Sequence, residues 1–265
     1  MAGIELRRIG EDDVRQLVRF VEEAVEGTGC EGVVIGLSGG LDSVTVAKLC
    51  IEALGADKVA CVFMPVAATP AEDRETVRSL CSDWGMDYTE ADIQPAVDAF
   101  ARMLPAGCTD PVESGNISAR CRMVVLYGIA RRKGSLVIGT SNKSELLTGY
   151  FTKFGDGSAD IRPLADLYKT QVRQLAQCLG VPAAIIDRVP TAGFWEGQTD
   201  EAELGMPYGD LDRVLEGLMR SMDDEAISGL TGVPVTGVAD MRERMASTAH
   251  KRRQPPYPQI APGTV

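Results

Sequence analysis

The run Gly36-Leu37-Ser38-Gly39-Gly40-Leu41-Asp42-Ser43 sets two adjacent glycines, two hydroxyls and a carboxylate side by side. Glycine lets the backbone approach a ligand closely and take dihedrals closed to other residues. A helix starting just after the glycines would aim unpaired N–H groups and the positive end of its dipole at the same point. With the hydroxyls of Ser38 and Ser43 these groups form a cradle for an anion, and phosphate fits it. No lysine follows the glycines, so the loop is not of the Walker type. Asp42 would repel phosphate unless a cation lay between them. Mg2+ binds through a few carboxylates plus phosphate oxygens, and it is the ion this pattern predicts. A plain glycine turn is the bland alternative, but the whole pattern directly between a strand and a helix is much rarer than a glycine pair. Ser38 does not read as a nucleophile. The single histidine, His250, lies far along the chain, and no Gly-x-Ser-x-Gly elbow is present.

The surrounding sequence supplies the elements that must hold such a loop. Residues 33–37 are short, apolar and β-branched, which suits a strand covered on both faces. From Asp42 to Leu54, Ala47, Cys50, Ile51 and Leu54 share one side, so a helix follows directly. Upstream, Val14, Leu17, Val18, Val21 and Val25 predict a helix over 11–27. Downstream, 58–64 reads as a second strand, and Val77, Leu80, Cys81 and Trp84 mark a helix. A third strand includes Tyr88, and a helix spans about 97–104. This alternation predicts an α/β fold, a doubly wound, mostly parallel sheet flanked by helices, with ligands beyond the carboxyl ends of the strands. A later unit repeats the logic: a helix at 116–132, then the strand Leu136-Val137-Ile138-Gly139, ending at Thr140. Residues 168–179 and 208–222 read as further helices. Glycines and prolines make 105–115 and 189–207 loops, the second a candidate lid, since long loops in compact domains are often functional. One domain is expected over 1–265, with a core at about 11–252 and a flexible tail at 254–265.

The bulk numbers exclude some classes. A net charge of −11 and a pI near 4.7 repel a polyanion, so no nucleic-acid partner is expected. The seven cysteines show no zinc or redox spacing and read as thiols of a reducing cytoplasm. No apolar stretch approaches the roughly 18–20 residues of a membrane span, and no leader is seen, so no membrane partner is expected.

The loop resembles that of the ATP pyrophosphatase group, enzymes that split ATP between its α- and β-phosphates. Segments 116–123, 139–145, 149–157, 160–164, 167–172, 190–193, 199–201 and 250–251 are similar to the signature blocks of the NAD synthetase family, in family order. The resemblance spans about 35–252. It implies an adenine nucleotide α-hydrolase-like fold and a ligase reaction. The carboxylate of deamido-NAD attacks the ATP α-phosphate, pyrophosphate leaves, and ammonia converts the acyl-adenylate to NAD and AMP. It also implies residue roles. Gly36 to Ser43, Thr140, Lys169 and Thr191 would contact ATP. Asp42 and Glu145 would hold Mg2+. Arg120, Lys153, Asp160, His250 and Lys251 would bind deamido-NAD, and Asp156 would position ammonia. Lys169 and Asp156 are the candidate catalytic residues. Family members are typically homodimers with deamido-NAD bound across the interface, so some residues would act in trans. With no Cys-His-Glu amidotransferase constellation, ammonia is the expected nitrogen donor. Other readings of the loop are a tRNA-modifying adenylating enzyme and a non-catalytic ATP-binding sensor.

Overall fold

The computed structural model describes residues 3–105, 107–108, 110–195 and 197–258. Among them, four strands form one parallel sheet: β1 (Gly32–Gly36), β2 (Val59–Phe63), β3 (Asp87–Glu90) and β4 (Ser135–Ile138), in the order β3-β2-β1-β4. The helices are α1 (Glu11–Thr28), α2 (Leu41–Leu54), α3 (Ala71–Trp84), α4 (Gln94–Met103), α5 (Pro111–Lys133), α6 (Lys143–Thr148), α7 (Lys169–Cys178), α8 (Ala183–Ile186), α9 (Asp200–Leu204), α10 (Tyr208–Met219), α11 (Asp224–Thr231) and α12 (Val235–Ser247).

Central β1 is apolar on both faces because both are covered. Val33 and Ile35 pack with Val21 and Val25 of α1, Val44 and Leu49 of α2, and Val172 and Leu175 of α7. Val34 points the other way, joining Val62 and Val137 against Val97 of α4 and Cys121 and Ala130 of α5. This alternation is the two-residue period of a strand. The edge strand β3 is polar and partly exposed, as an edge can be. A further core joins Leu211 and Leu215 of α10 to Ile227 of α11 and Val238 and Met241 of α12. Strand order changes direction between β1 and β4, so the carboxyl end of β1 lies at a topological switch point, where α/β sheets bind ligands.

The structure corrects the loop boundaries. Residues 111–115, read as loop, are the first turns of α5. The carboxylate of Asp110 caps that helix by accepting the Val112 N–H (3.0 Å), and Pro111 takes the first helical position, where its missing N–H costs nothing. Gly115 is no loop signal either. A Cβ there would sit 2.1 Å from the Phe194 ring. The segment 189–207 contains α9, capped by Thr199 through the Ala202 N–H. Helices α6, α8, α11 and α12 had no counterpart in the sequence reading. The first two are too short to show a periodicity. Of the proposed tail, 254–258 has no regular element, and 259–265 lie outside the described residues.

Candidate active site

Beyond the carboxyl ends of β1, β2 and β4 lies a cavity of about 530 Å³, within the size range of small-molecule sites. The glycine loop forms its floor. Gly39 turns the chain with φ +82°, a left-handed conformation glycine adopts without strain. Ser43 holds the turn together: its Oγ accepts the Ser38 N–H (3.2 Å), lies 3.0 Å from Ser38 Oγ and donates to the Gly40 carbonyl (3.1 Å). Intrahelical bonding in α2 begins at Val44 N to Gly40 O (3.1 Å). The N–H groups of Leu41, Asp42 and Ser43 are thus left without helical partners at the cavity edge.

Three elements bring opposite charges together above this floor. Asp42 comes from the first turn of α2, Glu145 from that of α6, and Lys169 opens α7. The Lys169 ammonium pairs with Asp42 Oδ2 and stands 3.4 Å from Glu145 Oε1. Asn142 Nδ2 donates to Asp42 Oδ1 (3.0 Å). The Asn142 side-chain Oδ1 also caps α6 by accepting the Glu145 N–H (3.0 Å), while Glu145 Oε2 accepts the Asn142 N–H (3.2 Å). Glu145 is therefore aimed by its own helix start. The Tyr208 ring lies 5.3 Å from the Lys169 ammonium and supplies a cation–π contact.

The electrostatics follow from burial. Burial and the neighbouring Asp42 charge push the Glu145 carboxyl up to about 8, against the pull of Lys169. Burial works against the charge on Lys169, but the carboxylates of Asp42 and Glu145 outweigh it and hold its ammonium above the ordinary lysine range. Asp200, at the start of α9, also lines the cavity, is 4% exposed, and feels the charges of Lys169 and Asp42. Its Oδ2 accepts from Tyr208 OH (3.0 Å), and its Oδ1 has no hydrogen-bond partner. Three carboxyl groups surround one ammonium, and a carboxyl raised by its acidic neighbours, as Glu145 is, marks a place where a divalent cation can take the place of a proton. Among the described residues no cluster of three or more His, Cys, Asp or Glu is arranged to hold a metal by itself. The residues fit Mg2+ in its usual protein setting: Asp42 and Glu145 as one or two carboxylates, with phosphate oxygens and water completing the shell.

Arg122 and Arg188 also line the cavity, each beside an acid. Arg122 of α5 lines the cavity and donates from Nε to the Met64 carbonyl (3.2 Å). Burial depresses its pKa, and Asp156 pulls it back up. Asp156 is open to the cavity but ringed by protein, and that ring holds its carboxyl above the ordinary range. Its Oδ1 accepts the Thr152 N–H (2.9 Å). Arg188, just before the 189–207 segment, pairs with Asp73 of α3 at the cavity margin.

The profile of the NAD synthase family matches residues 13–255. This chain belongs to the NAD synthase family. It is 42% identical to an NH(3)-dependent NAD(+) synthetase of Methanococcoides burtonii over 90% of this chain and 91% of the relative. A solved structure titled NMN synthetase, from Francisella tularensis, superposes with a TM-score of 0.83 at 33% identity, covering 94% of this chain and 98% of the other. An NH3-dependent NAD synthetase from Campylobacter jejuni, in complex with the nitrate ion, superposes with a TM-score of 0.79 at 33% identity, covering 93% and 97%.

Within this NAD synthase fold the expected site residues fall into two groups. Gly36, Leu37, Ser38, Gly40, Leu41, Asp42, Ser43, Thr140, Glu145, Asp156, Lys169, Thr191 and Lys251 line the cavity. Gly39, Arg120, Lys153, Asp160 and His250 do not. Gly39 is buried beneath the loop. Arg120 donates to the Lys153 carbonyl (3.3 Å), and Lys153 Nζ donates to the His250 carbonyl (2.9 Å), forming an outer strip. Asp160 Oδ2 accepts the Val137 N–H (2.7 Å) at the edge of β4. Lys251 bridges inward, donating to the carbonyls of Gly149 (2.7 Å) and Phe151 (2.9 Å).

Arg122, Asp200, Tyr208 and Arg188 escaped the sequence reading as site residues. Arg122 had a usable signal. Gly115, Ser118, Ala119 and Arg122 recur at helical spacing, and the first three are small and buried, so Arg122 continues an inward stripe. Arg120 sits about 200° round the helix from it.

Proposed function

We propose that this chain makes NAD from deamido-NAD, ATP and ammonia, releasing AMP and pyrophosphate. The observation that carries the reading is the Asp42–Lys169–Glu145 cluster over a lysine-free glycine loop, in a cavity also lined by Arg122 and Arg188. The free N–H groups of the α2 start bind phosphate oxygens, and Thr140 and Thr191 flank the nucleotide. Lys169 neutralises charge that builds as the bond between the α-phosphate and pyrophosphate breaks. Asp42 and Glu145 hold Mg2+, which when bound supplies further neutralisation of phosphate charge. The nicotinate carboxylate attacks in line with the leaving pyrophosphate. Ammonia then attacks the acyl carbonyl, AMP departs, and Asp156 orients the incoming nitrogen. The 189–207 segment covers the cavity and keeps water from the adenylate. Family membership favours neither a tRNA-modifying adenylating enzyme nor a non-catalytic ATP sensor.

The outer strip of Arg120, Lys153, Asp160 and His250, with Lys251 beside it, binds deamido-NAD where two copies meet. Val124 of α5 and Phe154 next to Lys153, 62% and 57% exposed, support this reading as apolar side chains beside the strip. Among the described residues no helix is long and apolar enough to cross a membrane, and the described cysteines are free thiols, which suits work in a reducing cytoplasm.

The test is NAD formation by coupled dehydrogenase assay with ATP, Mg2+, deamido-NAD and ammonium. Dependence on all four is expected, and no NAD with all present would end the reading. The similarity to an NMN synthetase of Francisella tularensis adds a comparison: a higher kcat/KM with a mononucleotide acceptor than with deamido-NAD would move the substrate from dinucleotide to mononucleotide.

A further inference from the structure

Asp212 lies in α10, outside the cavity, with no exposed surface at all. No cation pairs with it. Instead its carboxylate is filled by hydrogen bonds from two other helices. Oδ1 accepts from Ser144 Oγ (2.5 Å) in α6, while Oδ2 accepts from both Thr170 N (2.8 Å) and Thr170 Oγ1 (2.7 Å) in α7. Ser144 in turn accepts the backbone N–H of Lys169 (2.9 Å). The residues at the far end of these bonds are neighbours of the reacting cluster: Ser144 precedes Glu145, and Lys169 precedes Thr170. A buried carboxylate at the α7 N-terminus is also where a helix dipole stabilises an anion. One turn earlier on the same face of α10, Tyr208 supports the Lys169 side chain.

We propose that Asp212 is a positioning residue for adenylate formation: it locks α6 to α7, and so fixes where Glu145 and Lys169 stand relative to Asp42. The inference rests on the ligase reading above. It goes further by assigning the clamp to one half-reaction. Pyrophosphate departure needs the cluster in register, whereas attack by ammonia on the acyl carbonyl does not use it. A carboxylate suits the junction because it accepts from three donors and offers none. An amide in its place must turn its NH2 toward Ser144 or Thr170 and leaves a donor there without an acceptor.

The experiment measures pyrophosphate release in a single turnover with ATP, Mg2+ and deamido-NAD but no ammonium, and separately kcat/KM for ammonium in full turnover. For Asp212→Asn the release is expected to slow tenfold to a hundredfold, the range a misplacement of about 1 Å reaches. The kcat/KM for ammonium, which reports the second half-reaction alone, should stay within about twofold of wild type. Ser144→Ala, which keeps Asp212 but cuts the link to Lys169, should slow release in the same direction. Thr170→Val should slow it too, and Thr170→Ser should restore it. If Asp212→Asn does not fold, the Ser144 and Thr170 variants carry the test. Unchanged release in the folded variants overturns the clamp. So does a fall in kcat/KM for ammonium in step with the slowing, which would mark general loosening. A wild-type protein that makes no NAD overturns the ligase reading instead.

Discussion

The phosphate end of the cavity and the outer strip hold similar residue types and treat them differently. At the phosphate end, Lys169 is 3% exposed and directed at two carboxylates on other helices. Each partner is fixed by a helix start: Asn142 and Glu145 cap α6, and Asp42 sits in the first turn of α2. On the outer strip, Arg120 and Lys153 are bound to backbone carbonyls and stay in contact with solvent. A buried charge cannot wander without large cost, so the first region is organised before any ligand arrives. A solvated charge on a long side chain is cheap to redirect, so the second can wait for a substrate or a second subunit. Chemistry is thus expected from the first region and recognition from the second.

The sharpest test of that contrast is Asp42→Asn. It leaves the shape but removes a cluster charge, and NAD formation is expected to fall about 10²- to 10³-fold, with circular dichroism unchanged. A rate within twofold of wild type would remove Asp42 from the chemistry. Next is Lys169→Met, which strands buried carboxylates. It should lower unfolding free energy in denaturant by about 3 kcal/mol without Mg2+, whereas Lys153→Met should cost under about 0.5 kcal/mol, as exposed charges usually do. Equal losses would erase the distinction between the regions.

Two arginines of α5, Arg120 and Arg122, give a smaller contrast. Arg122→Ala should lower kcat/KM for ATP or deamido-NAD by about tenfold, since it empties a donor from the cavity wall. Arg120→Ala should change only the KM for deamido-NAD, and Val124→Asp should weaken the self-association proposed for this face, read by sedimentation. If Arg120→Ala lowers kcat instead, the strip belongs to the chemistry.

The smallest effect is on pH dependence. The folded-state Glu145 carboxyl sits at about 8 against an ordinary 4.5, so the folded protein keeps a proton that the unfolded chain has released across that window. Its contribution to stability is full below the lower value and is lost as pH rises through the upper one. Without Mg2+, the Tm of wild type should therefore fall more steeply over this window than that of Glu145→Gln, and added Mg2+ should flatten the slope. Parallel slopes would mean that the carboxyl is not raised.

The loop, the parallel sheet and the cluster residues were legible because each carried a local signature. Glycines and Asp42 lie together, β1 is a continuous apolar run, and Glu145 and Lys169 stand in recognisable blocks. Less legible were features whose partners lie far away in the chain. Gly115 reads as a loop residue until the Phe194 ring is seen against it, 79 residues on. Asp212 carries no local signal within the predicted 208–222 helix, although it is completely buried.

By itself, the sequence determined the order and type of the main elements, the phosphate-binding loop and the family to which the chain belongs. Those depend on periodicity and on residue runs a few positions long. Only the tertiary structure decided which arginine of α5 faces the cavity, that Asp200 joins Asp42 and Glu145 around one lysine, and that Asp212 ties α6 to α7. The physical reason is that burial and hydrogen-bond partners are properties of packed elements. Asp212 and Ser144 are 68 residues apart, and no local pattern encodes their 2.5 Å contact.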